Sequence, residues 1–108
     1  MSDMQEIATS YERNGNEIVA VGDMGIRGLA NFRELADEAV ADETVTVVAL
    51  DLTRVPFMDS SGLREILSLQ RRAEMKDKTV ALKLSSGIER LLQITGTTEL
   101  FTIVEPEE

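Results

Sequence analysis

The spacing of apolar residues changes several times along the chain, and each change marks an element. Ile7-Ala8-Thr9-Ser10-Tyr11-Glu12 and Glu17-Ile18-Val19-Ala20-Val21 read as short strands on either side of Arg13-Asn14-Gly15-Asn16. Asn-Gly accepts positive φ at both central turn positions, so this stretch predicts a β-hairpin. The glycine-bearing segment Gly22-Asp23-Met24-Gly25-Ile26-Arg27-Gly28 suits a loop. From Leu29 the apolar residues Leu29, Phe32, Leu35, Ala36, Ala39 and Val40 recur at helical spacing, with Arg33, Glu34, Asp37 and Glu38 opposite. That is an amphipathic helix laid on a sheet, its acidic outer face solvated. Thr44-Val45-Thr46-Val47-Val48-Ala49-Leu50 is almost continuously β-branched or aliphatic, the pattern of a parallel strand buried on both faces.

Helical spacing returns with Leu63, Ile66, Leu67, Gln70 and Ala73. It predicts a helix from about Ser61 to Met75 whose outer face holds Arg64, Glu65, Arg71, Arg72 and Glu74. Thr79-Val80-Ala81-Leu82-Lys83-Leu84 reads as a strand. Ser85-Ser86-Gly87-Ile88-Glu89 then opens a helix through a capping box between Ser86 and Glu89, with Gly96 as its C-terminal cap. Phe101-Thr102-Ile103-Val104 is a last strand before the acidic tail Glu105-Pro106-Glu107-Glu108. The order is β-β-α-β-α-β-α-β. Strands joined through single helices run parallel by right-handed crossovers, and the hairpin adds an antiparallel edge. The prediction is an α/β fold: a single mixed, mostly parallel five-stranded sheet with helices packed on it. The Gly22–Gly28 loop, the Asp51–Ser61 loop and the Ser85-Ser86 turn should share the rim at the carboxyl ends of the strands, where ligands and partners of such sheets bind. Three loops on one rim make a surface rather than a deep pocket.

Composition narrows what that surface does. At 108 residues the chain holds one domain. No long uncharged apolar run is present, which excludes a membrane-spanning helix, and Met1-Ser2-Asp3-Met4-Gln5-Glu6 lacks the basic and apolar regions of a signal peptide, so a cytoplasmic location is expected. The net charge of −9 repels nucleic acid and anionic lipid surfaces, which leaves proteins as the expected partners. Cys and His are both absent. Thiolate nucleophiles, disulfides, the usual zinc sites and a Ser-His-Asp triad are removed together, and neither a metal nor a cofactor is expected.

The stretch Asp51-Leu52-Thr53-Arg54-Val55-Pro56-Phe57-Met58-Asp59-Ser60-Ser61-Gly62-Leu63 joins the most strand-like run to the best amphipathic helix. Pro56 biases Val55 to an extended conformation, and Asp59, Ser60 and Ser61 are all favoured N-cap types. Three chemistries are conceivable there. A serine hydrolase would need a lysine base, and Lys76, Lys78 and Lys83 fall at the far end of a helix or in the next strand. A phosphoacceptor Asp51 gives the loop a partial resemblance to bacterial receiver domains. That resemblance implies an acidic pair after the first strand and a lysine after the last, and Val21-Gly22-Asp23 and Val104-Glu105-Pro106 supply neither. In the third chemistry another protein phosphorylates Ser60, whose hydroxyl lies at an exposed first helical turn. The plain alternative is that Ser60 and Ser61 merely cap the helix.

Val48-Ala49-Leu50-Asp51-Leu52 followed by Val55-Pro56-Phe57-Met58-Asp59-Ser60-Ser61-Gly62-Leu63 resembles the signature of STAS domains, specifically the bacterial anti-sigma factor antagonists. The resemblance runs from Ile7 to about Val104, with Glu105 to Glu108 as a tail, and makes the whole chain, 1–108, a single STAS domain. It implies a non-enzymatic regulator of transcription. The partner is an anti-sigma factor that is itself a serine kinase; it phosphorylates Ser60 to switch the antagonist off, and a PP2C-type phosphatase reverses the modification. By the same resemblance Asp59, Ser61 and Gly62 support the phosphosite, Ser61 as helix cap and Gly62 by letting a partner backbone approach. Met24, Met58, Leu63 and Arg64 would contact the partner. Two departures stand out: Gly25 occupies a position where family members often carry an acidic residue, and the family's usual final helix has no counterpart before Glu108. The alternative is a constitutive STAS interaction subunit, for example of a transport ATPase complex.

Overall fold

The hairpin forms, displaced toward its turn. In a computed structural model, which describes residues 9–105, β1 (Ser10–Asn14) and β2 (Glu17–Val21) pair antiparallel around Gly15. Ile7 and Ala8, expected in β1, lie outside the described residues. Helix α1 (Leu29–Ala41) leads to β3 (Val47–Arg54), α2 (Ser60–Glu74) to β4 (Thr79–Leu84), and α3 (Ser86–Thr95) to β5 (Thr102–Ile103). A 3-10 turn at Thr98–Leu100, not foreseen from the pattern, shortens β5. From β2 onward every neighbouring pair is parallel, and the order across the sheet, β1-β2-β3-β4-β5, is the chain order. The predicted α/β architecture is the observed one.

One face of this sheet makes the core. Ile18 and Ala20 of β2, Val48, Leu50 and Leu52 of β3, and Val80, Leu82 and Leu84 of β4 join a single buried cluster. Phe32, Ala36 and Ala39 of α1, Ile66 and Leu69 of α2, and Ile88 and Leu92 of α3 complete it. The alternate positions Val47, Ala49, Asp51 and Thr53 of β3 are only half-buried, so the expectation of a strand buried on both faces is corrected. Small and β-branched residues had filled both faces of the pattern, but the helical residues pack on one of them. On the other face Glu17 and Lys83 approach to 3.7 Å.

The limits of β3 also shift. Thr44 to Thr46 stay outside it because Asp42 turns the chain after α1. Its Oδ1 accepts from the Thr44 amide at 2.9 Å and the Thr44 hydroxyl at 2.7 Å, and its carbonyl accepts from Val45 N at 3.0 Å. The Thr44 hydroxyl, the Thr44 amide and the Arg13 guanidinium pull the Asp42 carboxyl down to about 2. The largest misreading concerns Glu65, assigned by periodicity to the outer face of α2. It is 6 % exposed and lies between the two long helices, receiving Arg33 Nη2 of α1 at 2.9 Å and standing 3.8 Å from Arg72 Nη1. Among the described residues no helix is long and apolar enough to cross a membrane.

Candidate functional site

The loops that follow β2, β3 and β4 meet at one rim, and main-chain bonds sew the first two together. Gly22 N donates to Arg54 O at 3.1 Å, Met24 N to Phe57 O at 3.0 Å, and Asp59 N to Met24 O at 3.0 Å. Met24 and Met58 form an isolated parallel bridge. The third loop joins through Ser85, whose hydroxyl donates to Val55 O at 2.6 Å and accepts from Ile88 N at 3.2 Å. Ser85 is therefore the N-cap of α3, and the expected capping box between Ser86 and Glu89 is corrected by one residue. The Ser85 hydroxyl satisfies two backbone groups at once, whereas the Ser86 side chain is exposed.

Two glycines let the helices press against these loops. A Cβ at Gly62 would lie 2.7 Å from Met24 O, and one at Gly87 would lie 2.6 Å from Pro56 O. Any larger residue forces backbone to move. Asp59 fixes the start of α2: its Oδ1 accepts from Gly62 N at 3.0 Å and its carbonyl from Leu63 N at 3.1 Å. The cap is thus Asp59 rather than Ser61, and Ser60 is the first residue of the helix. With Asp59 occupied as cap, the Ser60 side chain is left exposed to solvent, while Ser61 is half-buried. That hydroxyl stands at the end of the helix where the dipole is positive.

A family model described as "Mlab, STAS domain" matches residues 7–105. The chain belongs to the STAS domain family. Solved structures with the same fold include the anti-sigma factor antagonist SpoIIAA in its unphosphorylated form, 21% identical over 93% of this chain and 90% of that one, with a TM-score of 0.68. The Bacillus cell fate determinant SpoIIAA in the phosphorylated form is 22% identical over 94% and 93%, also at 0.68. An anti-sigma factor antagonist from Mycobacterium paratuberculosis is 18% identical over 99% and 92%, at 0.73. At such identities the likeness is one of fold.

Within this STAS domain the expected site residues divide into surface and core. Ser60 and Arg64 are exposed at the start of α2, and Leu63 is half-buried against the core. Met24 and Met58, expected to touch a partner, are 0 % and 2 % exposed and belong to the core cluster, in two loops joined by their isolated bridge. Gly62 is likewise filled from within, by Met24, and offers no space to a partner backbone. Asp51 sits inside β3, not at its end. Burial alone would push its carboxyl up, but bonds from the Thr53 hydroxyl at 2.6 Å and amide at 3.0 Å, with Lys83 and Arg54 nearby, hold it below its ordinary value.

The apolar part of the rim is made by residues the sequence did not single out. Phe57 is 59 % exposed, Ile26 74 % and Ile94 71 %. Pro56, Phe57, Arg90, Leu91 and Ile94 line a shallow cleft of about 180 Å³ between the β3–α2 loop and α3. Hydropathy alone cannot distinguish a loop aromatic facing solvent from one facing the core. The available signal was Pro56-Phe57 standing just after β3 ends at Arg54.

Proposed function

We propose that this STAS domain is an anti-sigma factor antagonist switched by phosphorylation of Ser60. Unphosphorylated, the rim binds an anti-sigma factor with serine kinase activity and frees the sigma factor. The kinase forms the bond between Ser60 Oγ and phosphorus, the terminal anhydride bond of its nucleoside triphosphate breaks, the nucleoside diphosphate leaves, and the hydroxyl proton passes to the kinase. A PP2C-type phosphatase hydrolyses the ester and restores the binding form. The observation that carries this reading is the exposed Ser60 hydroxyl on a helix start whose backbone is tied to two neighbouring loops. A partner can reach the hydroxyl, and among the described residues neither Lys78 nor Lys83 is placed to activate it. Histidine is absent, Lys78 Nζ is held by the carbonyls of Val40 and Asp42 at 2.5 and 2.7 Å, and Lys83 faces Glu17 across the sheet. The fold relative SpoIIAA, solved in both phosphorylated and unphosphorylated forms, supports the same reading.

The switch is electrostatic. A phosphate adds ~1.5–2 negative charges beside Asp59, and an unpaired charge taken into an interface costs several kcal/mol, where each ~1.4 kcal/mol is tenfold in affinity. Ser60→Asp should weaken binding to the kinase partner at least about tenfold by calorimetry, while Ser60→Ala binds as wild type and is not phosphorylated. Equal affinity of Ser60→Asp and wild type sinks the proposal. One observation favours the second reading, a constitutive subunit such as that of a transport ATPase complex. Gly25 lies so close to the motif that a Cβ there would be 3.1 Å from Asp59 Oδ2, so position 25 itself presents no acidic side chain beside the motif. That reading predicts a stoichiometric complex that survives purification and carries no phosphate on Ser60, which phosphopeptide mapping of the natively isolated protein decides.

A further inference from the structure

Ser60 and Ser61 stand side by side at the start of α2, yet the helix gives them different company. Residues three and four apart share a helical face. Ser60 therefore has Leu63 and Arg64 as neighbours, and Ser61 has Arg64 and Glu65. Helical side chains lean toward the N-terminus and cover the turn before their own Cα, so position 64 is within reach of position 60 and position 65 of position 61. The Arg64 side chain is exposed and makes no hydrogen bond or ion pair with another described residue. Glu65 is buried and already engaged by Arg33 at 2.9 Å.

Resting on the reading of Ser60 as the phosphorylated residue, we propose that Arg64 receives that phosphate within the same helix. Phosphorylation then acts on the rim twice. It adds a dianion and withdraws the guanidinium that a partner carboxylate would otherwise meet. The same geometry separates the two serines. A phosphate on Ser61 would be half-buried and set beside the Glu65 carboxylate, where like charges repel and the bridge between α1 and α2 is disturbed.

The test places phosphoserine at position 60 or 61 of the full chain during translation, so that no kinase is needed. The second ionisation of a phosphoserine lies near pH ~6 and is followed by phosphorus NMR. With phosphate at position 60, Arg64→Ala should raise that value by about half a unit, Arg64→Lys should keep most of the wild-type value, and Arg71→Ala, in the last turn, should leave it unchanged. The other charged residues on the segments that meet here are Asp59 on the same turn and Asp23 and Arg27 on the β2–α1 loop, which is bonded to Asp59 through Met24. They are common to all variants, so the difference reports Arg64. Coincident titrations for wild type and Arg64→Ala, both with native circular dichroism, overturn the pairing. Phosphate at position 61 should lower the melting temperature by several degrees relative to phosphate at position 60, and equal melting overturns the discrimination between the serines. Because the phosphate is installed by translation, an unmodified Ser60 in cells would defeat the proposed function without touching this pairing, and coincident titrations would defeat the pairing alone.

Discussion

Gly62→Ala measures how tightly α2 is held against the β2–α1 loop. Its added methyl would sit 2.7 Å from Met24 O, where ordinary contact begins at 3.4 Å, and the Met24 Cβ waits at 3.3 Å on the same side. The helix or the loop must therefore give by about 0.7 Å, and neither is free to. Met24 O already accepts from Asp59 N at 3.0 Å, Met24 N donates to Phe57 O at 3.0 Å, and the Met24 side chain is 0 % exposed. A shift of that size breaks the Asp59–Met24 bond, a net loss of about 1 kcal/mol, and adds an overpacking cost of about 1–3 kcal/mol. The better helix propensity of alanine returns at most about 1 kcal/mol. The balance is a loss of about 2 kcal/mol, which for a domain of this size lowers the melting temperature by about 10 °C. Urea denaturation and thermal melting of the two proteins measure it. A Gly62→Ala variant as stable as wild type would refute the claim that backbone contact at the rim holds Ser60 in place.

The other expectations concern separate parts of the molecule. Ser85→Ala removes both the N-cap of α3 and the bond to Val55 O, and should cost about 1–2 kcal/mol in urea with faster hydrogen exchange at the Ile88 amide; unchanged exchange would count against the cap. Arg33→Ala leaves the buried Glu65 carboxylate with only the more distant Arg72, whereas Glu65→Leu removes the buried charge and lets Arg33 turn to solvent. The arginine variant should melt lower than the leucine variant, and the opposite order would show the bridge to be unimportant. Burial pushes the Tyr11 phenol up to about 12, and its hydroxyl has no hydrogen-bond partner among the described residues. The unfolded chain ionises near its ordinary value of 10.0 while the folded one stays neutral, so this contribution is whole below pH 10 and is lost as pH rises toward 12. Urea midpoints at pH 9 and pH 11 should fall less for Tyr11→Phe than for wild type.

Element order was legible because the apolar spacing of α1 and α2 and the Asn-Gly turn are local signals that tertiary packing had no reason to override. What was not legible depended on which face of an element the rest of the chain covers. Val47 and Ala49 look like core residues in a run of seven, but the cluster takes up Val48, Leu50 and Leu52 instead. Glu65 looks like a surface residue until Arg33 arrives from a helix 32 positions earlier. Asp59, Ser60 and Ser61 offer three candidate caps in a row. The choice of Asp59, which leaves the Ser60 hydroxyl exposed, follows from its main-chain bond to Met24, a contact between loops far apart in sequence. Met24 and Met58 were misplaced for the same reason, since the bridge between them joins two segments with no shared periodicity.

The sheet lists its strands in the order in which they are synthesised. The opening hairpin is a local structure, and each later crossover lays one helix and one strand against an edge already in place. No strand has to be inserted between two others. A nascent chain leaving the ribosome can therefore build this domain by successive addition, and the segment from Asp59 to Leu63 gains its loop contact with Met24 while β4 and β5 are still to come. The last edge to close is the two-residue β5, where truncation should be tolerated best.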